Sequence, residues 1–323
     1  VSAVYVSRPL PEPGVALLRA AGLDVDQHDV DEPPSRRVLL ERVADKAAIL
    51  SMLTERIDVG LMDAAPGLRI VANLAVGHDN IDVPAATARG IVVTNTPDVL
   101  TEATADLAWS LLMAAARRLG EGDRLVRSGG WRGWSPTQLL GQTVWGRTIG
   151  ILGMGKIGTA VARRARGFGM TVLYHNRRPR PAAEHELGAR LVDLPTLWRD
   201  SDFVSLHAPL TDETRHIVDA AALDAMQHHA VLVNTARGPL VHETALVDAL
   251  RSGTIAAAGL DVFEHEPAID TGLTKLDNAV LAPHIGSATI EARSAMVRCC
   301  SQNIVAVLEG RAPLTPLNPE VLP

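Results

Sequence analysis

Short apolar runs alternate with longer amphipathic stretches along almost the whole chain, a pattern that predicts parallel strands joined by helices. In the first part, Val4–Ser7, Asp24–His28, Ala47–Ser51, Ile70–Leu74 and Ile91–Val93 read as strands. Helices fall between them, Gly14–Ala21 for example, which makes a compact flavodoxin-like set. A second series begins at Thr148–Leu152 and continues through Thr171–Tyr174, Arg190–Val192, Phe203–Leu206, Val231–Asn234, Ala257–Leu260 and Val280–Leu281. Between the two series lies Thr101–Arg118, apolar on nearly every face. Such a helix is expected to be buried on all sides, between two domains or at a subunit interface. A polar excursion rich in Gly and Trp follows at Ser128–Gly141, and a last long helix near Ser287–Leu308 would return the chain to the first domain. The expected fold is α/β, two Rossmann-like or flavodoxin-like domains with parallel sheets: 1–97 plus 288–323, and 98–287.

Composition narrows this picture. A length of 323 residues suits two domains. Aromatics are only 3% of a chain that is 47% hydrophobic, so Ala, Val, Leu and Ile must build the core, as in buried parallel strands. The formal net charge of -6 argues against nucleic acid or an anionic membrane as partner. The two cysteines, Cys299 and Cys300, are adjacent in a helical stretch and point to different faces, which implies packing, no disulfide framework and a reducing compartment. Ala3–Ser7 reads as a strand rather than a leader, and a cytoplasmic location is expected.

The first chemical signal is Gly153-Met154-Gly155-Lys156-Ile157-Gly158, which follows one strand-like run and opens an Ala-rich helix. In that context it is a dinucleotide fingerprint: Gly153 for the tight turn, Gly155 for close approach of the pyrophosphate, Gly158 for helix–sheet packing. The helix N-terminus, with Lys156 and Ile157, presents N–H groups to the phosphates. A site for NAD usually carries an acid about 20 residues further on. Here the next strand runs into His175-Asn176-Arg177-Arg178, and Val161–Pro181 holds six arginines with no Asp or Glu. Arginine forks suit a phosphate, so NADP(H) is expected in preference to NAD(H), with Arg177 and Arg178 clamping the 2′-phosphate beside Asn176.

Three further residues, Arg237, Glu266 and His284, each sit in a short loop directly after a strand-like run. A cation can grip a substrate carboxylate with two parallel bonds. An imidazole, with an ordinary pKa near ~6.5, can hand a proton to a carbonyl oxygen, and a neighbouring carboxylate favours its charged form. Beside a nicotinamide these three suit hydride transfer to a 2-oxo acid. Read singly, His284 would be a core histidine, Glu266 one acid of a solvated turn and Arg237 a surface ion pair. At three neighbouring strand ends of one dinucleotide sheet, the joint reading prevails. The His228-His229 pair has no supporting ligand cluster, and His242-Glu243 lacks a second His at Leu246, so no metal site is expected.

These motifs, with Ala75-Val76-Gly77-His78-Asp79-Asn80-Ile81-Asp82, Thr94-Asn95-Thr96-Pro97-Asp98, Ala258-Gly259-Leu260-Asp261-Val262-Phe263 and Pro283-His284-Ile285-Gly286-Ser287, resemble the D-isomer-specific 2-hydroxyacid dehydrogenases, in the glyoxylate/hydroxypyruvate reductase branch. The resemblance implies an active site in the interdomain cleft, with Arg237 on the substrate carboxylate, His284 as acid/base and Glu266 as its partner. It also implies that the Val76 and Gly77 amides hold the carboxylate, that Leu53 and Ser287 contact the substrate, and that Asp261 meets the nicotinamide carboxamide. Thr104, His207, Pro209, Thr214, Thr235, Ala236 and Gly286 would line the cofactor along with Arg237, Asp261 and His284. Trp134 resembles a tryptophan that reaches the partner subunit's site, or else it packs in a dimer. A homodimer is expected from the apolar helix and the resemblance together. Relatives that oxidise formate carry Gln where Glu266 stands, those that oxidise phosphite carry a Lys near Gly77, and D-lactate dehydrogenases favour an Arg where Leu74 stands. What remains is NADPH-dependent reduction of glyoxylate to glycolate and hydroxypyruvate to D-glycerate. The alternatives are a reductase of bulkier 2-oxo acids, or a dinucleotide-sensing corepressor.

Overall fold

The structure, a computed structural model, describes residues 2–322. The chain forms two compact units, one made from the chain up to Leu100 together with the part from Ser287 onward, the other from Thr101–Gly286.

The first unit holds five parallel strands, β1 (Ala3–Val6), β2 (Asp24–Gln27), β3 (Ala48–Ser51), β4 (Ile70–Asn73) and β5 (Val92–Thr94), in the order β2-β1-β3-β4-β5. Strands β3 and β4 are buried at every position, which is why they read as unbroken apolar runs rather than alternating ones. Helix Ile290–Leu308 packs on this sheet and crosses helix Gly14–Ala20 closely: a Cβ at Gly14 would lie 1.7 Å from Val297 Cγ1. The last helix begins at Ile290 rather than near Ser287, because Thr289 caps it by accepting the Ala292 N–H. Both cysteines are buried and unbridged.

The second unit is a seven-stranded parallel sheet: β6 (Thr148–Leu152), β7 (Thr171–His175), β8 (Arg190–Leu191), β9 (Phe203–Leu206), β10 (Val231–Asn234), β11 (Ala257–Leu260) and β12 (Ala279–Leu281). Its order, β12-β11-β10-β9-β6-β7-β8, reverses direction between β6 and β9. In an open α/β sheet that reversal is where ligands bind, beyond the carboxyl ends of the strands.

Two expectations need correction. Helix Thr101–Ala116 is not buried on all sides: Glu102, Asp106 and Ser110 form an exposed stripe at a spacing of four. Arg164 pairs with Glu102 at 2.7 Å and Asp106 at 2.7 Å along that stripe, while Ala105, Ala108, Trp109, Leu111 and Leu112 face the core. Small residues on the opposite faces hid the polar positions. The segment after it also contains a helix that the pattern did not reveal, Leu119–Arg127, which buries no residue.

Candidate active site

The glycine turn sits at the end of β6. Gly153 has φ +96, and a Cβ there would meet the His207 and Ala208 backbone at 2.6 Å. At Gly158 a Cβ would be 2.2 Å from the Gly153 carbonyl oxygen. At Gly155, by contrast, a Cβ would meet nothing within 4 Å. Gly153 and Gly158 are therefore demanded by the protein itself, whereas Gly155 borders open space at the N-terminus of helix Lys156–Gly167. A dinucleotide pyrophosphate fits that arrangement, with Lys156 and Ile157 in the first helical turn.

Around this turn stand the other residues assigned to the cofactor. Asn176 follows β7 and its Oδ1 accepts the Met154 N–H at 2.8 Å, so the residue at the strand end is an amide tied to the glycine turn. Arg177 and Arg178 come next and are exposed. The loop after β9 is closed by Thr214, whose hydroxyl donates to the Pro209 carbonyl at 2.7 Å. His207 lies 2.8 Å from the Ser205 hydroxyl, and burial pushes its imidazole down to about 3, which keeps the ring neutral.

Three loops bring the candidate catalytic groups together. After β10, the buried Asn234 side chain accepts the Ala236 N–H at 3.0 Å and donates to the Arg237 carbonyl at 2.8 Å, which folds Thr235, Ala236 and Arg237 into a tight turn. Gly238 presses this turn against the next loop: a Cβ there would lie 1.8 Å from the Phe263 carbonyl oxygen. In that second loop Glu266 accepts the Phe263 N–H at 2.9 Å through one oxygen and meets His284 Nδ1 at 2.8 Å through the other. Burial pushes the Glu266 carboxyl up, but the bond and charge of His284, the Phe263 amide and the nearby Arg237 charge outweigh it, so the net effect is a depressed, ionised carboxylate. With Nδ1 turned to Glu266, His284 has Nε2 left for a substrate.

His284 itself is held in the left-handed region, φ +53. Asp261 imposes that geometry. Its carbonyl accepts the His284 N–H at 2.8 Å, and its carboxylate accepts the Ile285 and Gly286 N–H groups at 2.7 Å each. Asp261 is fully buried, and desolvation raises its carboxyl above the ordinary value despite those two amides. Thr104 packs beside Gly286, where a Cβ would be 3.5 Å from its methyl group.

A brace that the motifs did not suggest supports the Glu266 loop. Glu264 meets His216 Nε2 at 2.6 Å and accepts the Glu243 N–H at 3.0 Å. Glu243, itself buried, accepts the Glu264 and Asp270 N–H groups at 2.9 and 2.7 Å. The only sequence signal was the pair of acids Glu264 and Glu266, which reads equally as a solvated turn.

Leu53, Val76, Gly77 and Ser287 belong to the first unit, where Leu53 follows β3 and Val76 and Gly77 follow β4. Trp134 is 84% exposed. Among the described residues no set of three or more His, Cys, Asp or Glu is gathered to hold a metal ion, and no helix is long and apolar enough to cross a membrane.

A dinucleotide turn and an Arg–Glu–His set on one parallel sheet define a nicotinamide-type oxidoreductase domain. Comparison with known proteins gives the family: residues 109–286 match the model of the D-isomer specific 2-hydroxyacid dehydrogenase, NAD binding domain, and the chain belongs to that family. It is similar to a glyoxylate reductase of Thermococcus onnurineus, 53% identical over 99% of this chain and 96% of the relative. Among solved structures it resembles a protein of Thermus thermophilus, with a TM-score of 0.93, 46% identity and 98% and 99% of the two chains covered. It also resembles an NADPH-dependent glyoxylate/hydroxypyruvate reductase of Sinorhizobium meliloti in complex with NADP and malonate, with a TM-score of 0.86, 37% identity and 98% and 96% coverage.

Proposed function

We propose that the chain is an NADPH-dependent reductase of glyoxylate and hydroxypyruvate, yielding glycolate and D-glycerate. The observation that carries this reading is the 2.8 Å His284–Glu266 pair beside the Arg237 turn, on the sheet whose β6 ends in the glycine turn. The similar proteins named as glyoxylate reductases support the substrate class.

A dinucleotide held at the glycine turn and the N-terminus of helix Lys156–Gly167 would supply the hydride that C2 of the 2-oxo acid takes up. Arg237 grips the substrate carboxylate and polarises the carbonyl, aided by the Val76 and Gly77 amides. As the carbonyl oxygen becomes an alkoxide, His284 Nε2 gives it a proton, and the cations of His284 and Arg237 meet the developing charge. Glu266 holds Nδ1 and so orients the ring for that transfer. Leu53 and Ser287 border the small side chain. Arg177 and Arg178 hold a 2′-phosphate, a role supported by their exposure, by the amide of Asn176 where an acid would repel phosphate, and by the absence of Asp or Glu from Val161–Pro181.

The units play different parts in this reading, the first binding substrate and the second the dinucleotide. The chain is a homodimer in this reading, supported by six large apolar side chains left exposed within one stretch of sequence: Leu119, Val126, Trp131, Trp134, Leu140 and Trp145. The test is steady-state oxidation of NADPH and of NADH with glyoxylate, hydroxypyruvate and pyruvate. Faster NADPH turnover with the first two is expected. Preference for NADH would overturn the phosphate clamp, and no turnover would overturn the reaction.

A further inference from the structure

The loop after β4 has its peptide planes set from behind by one backbone amide and two buried side chains. The Ala75 carbonyl accepts the Thr96 N–H at 2.8 Å, the Val76 carbonyl accepts Asn95 Nδ2 at 2.8 Å, and the Gly77 carbonyl accepts Asn73 Nδ2 at 2.9 Å. A trans peptide is planar, so its C=O and the following N–H point in opposite directions. Fixing these consecutive carbonyls against the unit's interior turns the N–H groups of Val76, Gly77 and His78 away from it. Val76 and Gly77 are half-buried and His78 is exposed, so the amides face outward as a row.

The donors are themselves held. Asn73 is fully buried and its Oδ1 accepts the Ser51 hydroxyl at 3.1 Å, while its Nδ2 is also 3.2 Å from Asn80 Oδ1. Asn80 donates to the Met52 and Glu55 carbonyls at 3.0 Å each. The Asn95 carbonyl accepts the Thr315 hydroxyl at 2.6 Å, and Asn303, fully buried, donates to that same hydroxyl at 2.8 Å. These are neutral amides. They orient dipoles without adding a charge that would attract or repel the substrate.

We infer that Asn95 and Asn73, steadied by Asn80, are positioning residues for carboxylate recognition: they fix the peptides on both sides of Gly77, aim the Gly77 and His78 amides beside that of Val76, and so make the site select an acid over a neutral carbonyl compound. This rests on the proposed reduction of 2-oxo acids. A preorganised amide pair stabilises an anion without having to reorient when it arrives. If Asn95 is removed, the Val76–Gly77 peptide is free to rock, and the penalty falls on carboxylate binding.

The experiment compares glyoxylate with its neutral methyl ester, using the full-length enzyme and NADPH. For Asn95→Ala the ratio of kcat/KM for acid over ester should fall about tenfold, mainly through the KM for glyoxylate, with kcat reduced less than about threefold and the KM for NADPH unchanged. Asn80→Ala, which leaves Asn95 in place and is less buried, should lower the ratio about threefold, and it keeps the inference testable if Asn95→Ala fails to fold. A merely structural role would weaken both substrates equally. An unchanged acid-to-ester ratio in the folded variants would overturn the inference while wild-type turnover of glyoxylate leaves the reaction standing. Absence of 2-oxo acid reduction by the wild type would overturn both.

Discussion

Replacing Glu266 by Gln changes one functional contact and almost no volume. Gln can still accept the Phe263 N–H, 2.9 Å away, with its remaining oxygen, so the loop has reason to stay in place. What disappears is the charged partner 2.8 Å from His284 Nδ1. A hydrogen bond to a charged group contributes about 1.5–3 kcal/mol. Both side chains are about a third exposed, 33% and 35%, so solvent screens the pair and the lower end applies. A loss of about 1.5 kcal/mol is roughly a tenfold drop in kcat/KM for glyoxylate reduction. The loss falls on proton transfer, because the Glu266 carboxylate is what holds Nδ1 and so fixes the direction of Nε2. The assay is kcat and KM for wild type and Glu266→Gln at one pH, with melting temperatures as control. The KM for NADPH should stay unchanged while kcat carries most of the drop. An unchanged kcat in the folded variant would refute the role given to Glu266.

Other variants test the rest of the site. Arg177→Ala and Arg178→Ala should each raise the KM for NADPH about tenfold, the lower range for a charged hydrogen bond at an exposed site, and leave the KM for NADH unchanged; parallel titrations of both cofactors check this. Gly238→Ala places a Cβ 1.8 Å from the Phe263 carbonyl oxygen, so the Arg237 and Glu266 loops must separate. Activity should fall about 100-fold or more from misplacement alone, and the melting temperature should drop as well. For Glu264, burial raises the carboxyl, but the Glu243 amide and the His216 ring bring it net below 4.5. A depressed carboxyl stabilises the fold above its ordinary pKa, and that stability is lost as pH falls through the depressed value. Glu264→Gln should therefore melt below wild type at pH 7, with the gap closing as the pH is taken below 4.5; melting curves across that range decide it.

Legibility in the sequence followed burial and chemistry. The strand runs were readable because β3, β4, β9, β10 and β11 are buried along their whole length and must be apolar on both faces. Their ends shifted by a residue or so, since nothing in an apolar run marks where pairing stops. The glycine turn was readable because two of its glycines meet backbone that tolerates no Cβ. Helix Leu119–Arg127 was missed for the opposite reason: it buries no residue in the chain, so its apolar positions answer to no internal core. The polar stripe of Thr101–Ala116 was obscured because alanines dominate the faces around it.

The groups that aim the site were harder to read than the groups that act in it. Arg237, Glu266 and His284 carry chemistry in their side chains, so the residue type alone suggests a role. Asn73, Asn95 and Asn234 act on the backbone, and an asparagine at a strand end usually means only a turn. Their common feature emerges from burial: each is 8% exposed or less, close to the carboxyl end of a parallel strand, with its amide bonded to a nearby loop carbonyl. A buried polar side chain must find partners or destabilise the fold. An apolar residue would remove that demand altogether, so what an amide adds at these ends is the carbonyl it orients. Asp261 follows the same logic with a charge added, because its two carboxylate oxygens accept the Ile285 and Gly286 N–H groups and thereby hold the left-handed His284. Strand ends of a parallel sheet supply places for catalytic side chains, and buried polar neighbours decide which way those places face.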